Sequence, residues 1–394
     1  MSKDAKNVPA LRFKGYSDAW EKRKLGEVAT ITMGQSPDSK NYTLNPQDHI
    51  LVQGNADIKN GWVEPRVWTT QITKIAKKGS VLLSVRAPVG EVSKTAFDVV
   101  LGRGVASVGQ TDFLYQYLIT LKINGFWLRY STGSTFDSIN SADIKDAIIF
   151  LPEKNEQSRI AKTLNCIDNL IAATQDKIDA FEQIKKAFLQ HLFDQSWRFG
   201  EYSELWTSHL LGEITSKVTE KNTENLYHET FTNSAKYGIV EQQSFFDKLI
   251  SNEANLTNYY VVRENDFVYN PRISNLAPVG PVRRNKLNRT GVMSPLYYVF
   301  KATNAAYPMF LEYFFKGESW YRFMYLNGDT GARSDRFAIK DKVFEQMPVK
   351  LPEESEQKKI GALLQNLETV MNQTQERLQK IRTIKDSLLK SLFV

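Results

Sequence analysis

The chain has 394 residues, 51 Lys and Arg against 44 Asp and Glu, a single cysteine, and 42% hydrophobic and 12% aromatic residues. At about 100–200 residues per domain this is a two- or three-domain protein whose apolar content excludes wholesale disorder, and one cysteine excludes an internal disulfide or a thiolate zinc cluster and points to a reducing compartment. The net charge of +7 sits mainly in residues 1–150 (+5) and 196–350 (+2), while 151–195 (−1) and 351–394 (+1) are near neutral, which is compatible with a polyanionic partner without requiring one.

The start, Met1 to Phe13, has charges and a proline but no apolar core, and no run of about eighteen apolar residues follows. Neither a signal peptide nor a membrane span is expected, and the expected location is the cytoplasm. Residues 1–150 then show short alternating apolar stretches, "VEPRVWTT" (63–70) and "SVLLSV" (80–85), separated by Gly, Asn, Asp and Pro, and one helical stretch, "TDFLYQYLITLKI". That is the pattern of an α+β domain rich in twisted sheet. Residues 151–193 read as one long helix: Ile160, Leu164, Ile167, Ile171, Thr174, Ile178, Phe181, Lys185, Phe188 and Leu192 step by four and three, with Pro152 before the helix and no Gly or Pro from 156 to 193.

From here the chain repeats itself. "RFGEYSELWTSHLLGEI" from Arg198 matches "RFKGYSDAWEKRKLGEV" from Arg12, and "FLEYFF" at Phe310 matches "FLYQYL" at Phe113. Residues 196–350 are again mixed, with strands at "NYYVV" (258–262) and "LYYVF" (296–300) and a helical "AAYPMFLEYFFKGESWYRFM". Residues 351–393 then align with 151–193 without a gap, and Ile360, Leu364, Leu367, Met371, Thr374, Leu378, Ile381, Lys385, Leu388 and Leu392 keep the same seam. The helices could each lie on their own domain. A narrow seam held over about five heptads in both copies favours helices packed on each other, antiparallel about a pseudo-twofold axis, as a rod of roughly 60 Å that spaces two domains. Trp20 and Trp206, matched in the repeat, are expected in the core, and Cys166, beside Ile167, in core or flank packing.

No catalytic constellation emerges. Asn270-Pro271-Arg272 and Gly102-Arg103-Gly104 are the nearest strings to a methyltransferase strand end and nucleoside-binding turn, and neither fits. There is no "GxxxxGK[ST]" loop, and His49, His191, His209 and His228 are scattered without metal-ligand spacing. A binding or assembly protein is favoured over an enzyme.

In this order of parts the sequence resembles the specificity (S) subunits of Type I restriction-modification systems. The strings that carry the resemblance are "WEKRKLGEV" and "LWTSHLLGEI", "GQSP" at Gly34, "RAPVGEV" at Arg86, "GSTFDSIN" at Gly133 and "LPEKNEQSRIAKTL" at Leu151; "GARSDRFAI" replaces "GSTFDSIN" in the second copy, and the "APVG" at Ala277 lacks an arginine just before it. The resemblance implies target recognition domains at 1–150 and 196–350, conserved helical regions at 151–195 and 351–394, and an antiparallel coiled coil. It also implies a non-catalytic subunit that binds double-stranded DNA at a bipartite target with an unread spacer. Its partners would be two methyltransferase subunits, which methylate the N6 of adenine with S-adenosylmethionine, and restriction subunits using ATP and magnesium, with none of these cofactors bound by this chain. A stand-alone DNA-binding regulator and a coiled-coil protein scaffold are the alternatives.

Bases are read best by Arg, Lys, Asn and Gln, and phosphates by Lys, Arg, Ser and Thr. The loops "MGQSPDSKNY" and "RYSTGSTFDS" nominate Gln35, Ser36, Lys40, Arg129, Ser131, Ser134 and Thr135 as DNA-binding residues. In the second domain "PVRRNKLNRT" nominates Arg283, Arg284, Lys286 and Arg289, and "NPRISN" and "GARSDR" add Arg272, Arg333 and Arg336. Arg86 reads as a brace for its own turn.

Overall fold

The computed structural model describes residues 7–130, 138–246, 253–330 and 335–394. They gather into two compact units, Met1–Lys177 with Thr374–Val394, and Ile178–Gln373. Each unit holds one mixed domain and half of each long helix.

The first unit contains β1 (Glu21–Lys24), β2 (Ile31–Met33), β3 (Val81–Ser84), β4 (Val92–Lys94), β5 (Val105–Val108), α1 (Asp112–Ile123), β6 (Ile148–Leu151) and the start of α2 (Lys154–Phe193). The sheet order β2-β5-β3-β4 is extended at the β4 edge by Trp62–Val63 and Ile58–Lys59. Strands β3 and β5 are buried along their whole length, which is why they read as near-continuous apolar runs. Thr111 starts α1 by accepting from the Leu114 amide at 3.2 Å, and the helix buries Phe113, Leu114, Tyr117 and Leu118 against the sheet. Pairing of β1 with β6, Glu21 opposite Leu151, returns the chain to its start just before α2 begins.

The second unit repeats the plan with β7 (Thr207–Leu210), β8 (Thr215–Lys217), β9 (Phe267–Tyr269), β10 (Val282–Arg284), β11 (Tyr298–Ala302), α3 (Pro308–Lys316), β12 (Pro348–Leu351) and the start of α4 (Glu354–Leu392). The order is β8-β11-β9-β10, and Thr207 stands opposite Leu351 as Glu21 does opposite Leu151. The fold is thus α+β, with two similar domains each followed by a long helix.

Within each unit the two long helices pair antiparallel. In the first, Lys385 reaches Asp168 at 2.5 Å and Arg382 reaches Gln175 at 3.3 Å, so one number falls as the other rises. In the second, Lys185 reaches Glu368 at 2.7 Å. Asp168 and Glu368, like Lys185 and Lys385, are equivalent in the repeat, so the same ion pair forms once per unit with the helices exchanging roles. The Lys positions that interrupt the seam are therefore half of a charge pair. Each carboxylate also receives the domain's own helix: Gln116 donates to Asp168 at 2.7 Å, and Tyr313 and Lys316 donate to Glu368 at 3.0 and 2.8 Å.

The ends of the seam serve the domains rather than the helix pair. Ile160, Leu164, Leu389, Leu392 and Phe393 lie in one core with Trp20, Phe113 and Tyr117; Leu192, Phe193, Ile360 and Leu364 lie in another with Trp206 and Phe310. Phe393 meets Trp20 edge-on at 6.2 Å, and Phe193 meets Trp206 in the same way at 6.5 Å. Both tryptophans are core residues, as expected. Arg12 forks onto the buried Glu156 and Arg198 onto the buried Glu356, clamping each domain's leading segment to the first turn of the helix that follows it. Cys166 departs from expectation: it is exposed, because the step that puts Ile167 on the seam turns its neighbour outward. Among the described residues no helix is long and apolar enough to cross a membrane.

Candidate nucleic-acid interface

In the first domain three glycines let three backbones cross. A Cβ on Gly34 would lie 2.0 Å from the Gly102 carbonyl oxygen, and one on Gly104 2.3 Å from that of Gln53. The crossing is closed by hydrogen bonds from Gly34 to Val105 (2.9 Å), Gln35 to Leu101 (2.8 Å), Gly102 to Val52 (2.8 Å) and Val85 to Gly104 (2.9 Å). Ser36 Oγ accepts the Arg103 amide at 3.0 Å, so this nominated side chain pins the crossing. Gln35, Arg86 and Arg103 stand exposed around it. Among the described residues neither guanidinium meets a carboxylate. Arg86 and Arg103 are the cations that sequence reasoning passed over; the glycine pattern was legible, but the crossing that brings its pieces together was not.

Lys40 is exposed and pairs with Asp38 at 3.2 Å. Arg129 is exposed, its guanidinium 4.1 Å above the Phe126 ring and its Nε donating to the Phe126 carbonyl. The turn that carries it packs through Trp127 on Gly90, at the end of the "RAPVG" loop. Ser131, Ser134 and Thr135 lie outside the described residues.

The nominated cluster of the second domain is engaged inside the fold. Arg283 is largely buried and donates to the carbonyls of Val282 (3.0 Å) and Ala235 (2.9 Å); burial lowers its pKa. Arg284 and Lys286 converge on Glu312, at 2.6 and 3.1 Å, where Lys316 joins them at 2.8 Å. Burial would raise the Glu312 carboxyl, but the attraction of Lys316, Arg284 and Lys286 outweighs it and holds the group below the usual carboxylate range. Arg289 forks onto Glu229. Arg284, Lys286 and Arg289 are thus engaged by carboxylates that lie 26 to 60 residues away, too far for a local charge count to see.

Arg272 and Arg336 are brought together: their backbones form a bridge, and both line a cleft of about 500 Å³ with Asn233, Asn270 and Tyr297. Arg272 is exposed and Arg336 half-buried. Asn233, only 2% exposed, donates to the carbonyls of Val268 and Pro281 at 2.7 and 3.1 Å, while its side-chain oxygen has no partner among the described residues. A second cleft of about 960 Å³ shares Arg336, Pro271 and Tyr297 with the first and adds Tyr260 and Asn327. Arg333 lies outside the described residues. The exposed guanidiniums, amides and aromatic rings of these two loop clusters are hydrogen-bond donors and stacking surfaces of the kind that bind nucleic acid.

Residues 17–183 match the model of the Type I restriction modification DNA specificity domain. Two proteins of Methanocaldococcus jannaschii are similar over about half of the chain. One, provisionally described as the type I restriction enzyme MjaX specificity subunit, is 33% identical over 181 residues (44% of this chain, 42% of that protein). The type I restriction enzyme MjaIX specificity subunit is 24% identical over 188 residues (44% of each). The matched stretches thus span less than half the length of either relative. The crystal structure of a Type I restriction-modification S subunit from M. genitalium superposes with a TM-score of 0.63 at 16% identity, covering 98% of this chain and 99% of that one. A chain from a structure concerned with complex assembly and conformational transition of the type I restriction-modification system gives 0.51 at 16% identity over 95% and 97%. At that identity the likeness is one of fold.

Proposed function

Because residues 17–183 match the Type I restriction modification DNA specificity domain, we propose that this chain is the DNA-reading subunit of a restriction-modification complex. In this reading it is not itself an enzyme. Each domain reads one half of a bipartite duplex target in the cytoplasm, with an unread spacer between the halves. Two methyltransferase subunits then methylate the N6 of one adenine in each half, and restriction subunits act on unmethylated DNA. S-adenosylmethionine, ATP and magnesium belong to those subunits and not to this chain.

The observation that carries the reading is the duplication: two domains of one plan, each tied to the helix that follows it by the same contact, Arg12 with Glu156 and Arg198 with Glu356. Two like modules in one chain suit a target with two like parts. The test is co-expression with a Type I methyltransferase subunit, followed by genome-wide mapping of N6-methyladenine. The expected result is a two-part motif methylated on opposite strands, and no methyl transfer from labelled S-adenosylmethionine by the purified chain alone. Methylation at an uninterrupted motif, or transfer by the lone chain, would overturn the reading.

A further inference from the structure

The two domains differ in most of the polar side chains around their loop clusters. The ladder positions Ala106 (facing Leu83) and Tyr298 (facing Tyr269) are equivalent, and three residues before them stand Arg103 in one domain and Pro295 in the other. One cation is nevertheless kept. Arg86 leaves the end of β3 as Arg272 leaves the end of β9, and each forms a backbone bridge to the segment that enters the last part of its domain, Arg86 with Ser138 and Arg272 with Arg336. The next residue of that segment donates to the residue before the arginine in both cases: Ile139 to Val85 at 3.0 Å, Phe337 to Pro271 at 2.8 Å. The residue two positions earlier fixes the arginine backbone, Ser84 Oγ donating to the Arg86 carbonyl at 2.9 Å and Asn270 Oδ1 accepting the Arg272 amide at 3.0 Å. Each loop ends on a glycine in the left-handed region, Gly90 (φ 86°) and Gly280 (φ 83°). Four residues inserted at 273–276 before the second "APVG" hide this equivalence in the sequence.

Both arginines are exposed, and neither guanidinium meets a carboxylate among the described residues. We propose that Arg86 and Arg272 are phosphate anchors, one per domain, that seat each domain on the DNA backbone without reading sequence; this rests on the DNA-binding reading above. A contact made alike by two domains that read different bases cannot carry the difference between them, and the phosphate is the part of every half-site that is the same. A guanidinium on a backbone held at three points loses little freedom when it binds, and its donors fit a phosphate in bidentate fashion. The bridge partner, Ser138 in one domain and Arg336 in the other, varies where the anchor does not.

The test uses the full-length chain and a fluorescent duplex pool of random sequence, titrated from about 50 to 200 mM salt. Arg86→Ala and Arg272→Ala are each expected to lower the salt slope by about one unit, and the double variant by about two, whereas Arg→Lys at either site keeps the slope because the released counterions follow charge. The sequences selected from the pool are expected to stay the same. A wild-type slope in the double variant, a Lys variant that falls as far as Ala, or an alanine variant that selects different bases overturns the anchor assignment. If the wild-type chain shows no salt-dependent retention, the DNA reading itself falls and takes the anchors with it.

Discussion

Glu312 decides what three cations of the second domain can do. It is 3% exposed and meets Arg284, Lys286 and Lys316, so a charge that looks available in "PVRRNKLNRT" is already used. Leaving one member of a buried ion pair uncompensated costs about 3–5 kcal/mol; with Lys286 and Lys316 still on Glu312, losing Arg284 costs a part of that. Arg284→Ala is therefore expected to lower the urea midpoint clearly while leaving the salt slope of DNA binding unchanged, and Arg289→Ala, whose pair with Glu229 is at the surface, to leave the midpoint where it was. A fall in salt slope with an unchanged midpoint for Arg284→Ala would show that this side chain faces DNA after all. At this scale the sequence showed which residues carry charge and not which charges are free. Arg86 follows a strand and Arg284 ends one; the position of Glu312 on a helix further along the chain separates the open guanidinium from the one engaged by a carboxylate.

The long helices were legible to within a few residues from their seam, and so was the exception at Lys185 and Lys385. What periodicity did not reveal is why a lysine stands there, since its partner on the other helix sits one step off the seam, at Glu368 or Asp168. Burial would raise the Glu368 carboxyl, but Lys316 and Lys185 bring it down to about 2. A carboxyl whose folded pKa lies below its unfolded value near about 4.3 adds stability that is present above that pH and lost as pH falls towards 2. The shift corresponds to the order of 3 kcal/mol. Urea unfolding followed between about pH 6 and pH 2.5 should thus show the wild type losing stability steadily, and Glu368→Gln starting lower at pH 6 but varying less over the same window. Parallel curves for the two proteins would mean that Glu368 does not hold its lysines as charged pairs.

At the scale of the whole chain, duplication was visible because the helical segments align at a constant offset, while the domains drift. The strand ladders kept their registers, Glu21 opposite Leu151 and Thr207 opposite Leu351, as loops lengthened around them, because ladder pairing constrains the backbone and a surface loop is constrained by little. The pairing of Trp20 with Phe393 has a consequence for the order of events during synthesis. The second unit, Ile178–Gln373, is one uninterrupted stretch, whereas the first is closed by Thr374–Val394, whose Leu389, Leu392 and Phe393 fill its core and whose Ser391 carbonyl accepts the Leu11 amide at 2.8 Å. At about 5–20 residues per second, Trp20 waits roughly 20 to 75 seconds for its partner to be made. The part of the protein translated first is thus finished last. A chain ending at Gln373 should lose amide protection in residues 7–150 and keep it in 196–350, as hydrogen exchange would register, and the reverse pattern would contradict this account. A stop codon just after Gln373 would then disable a domain encoded more than two hundred residues before it.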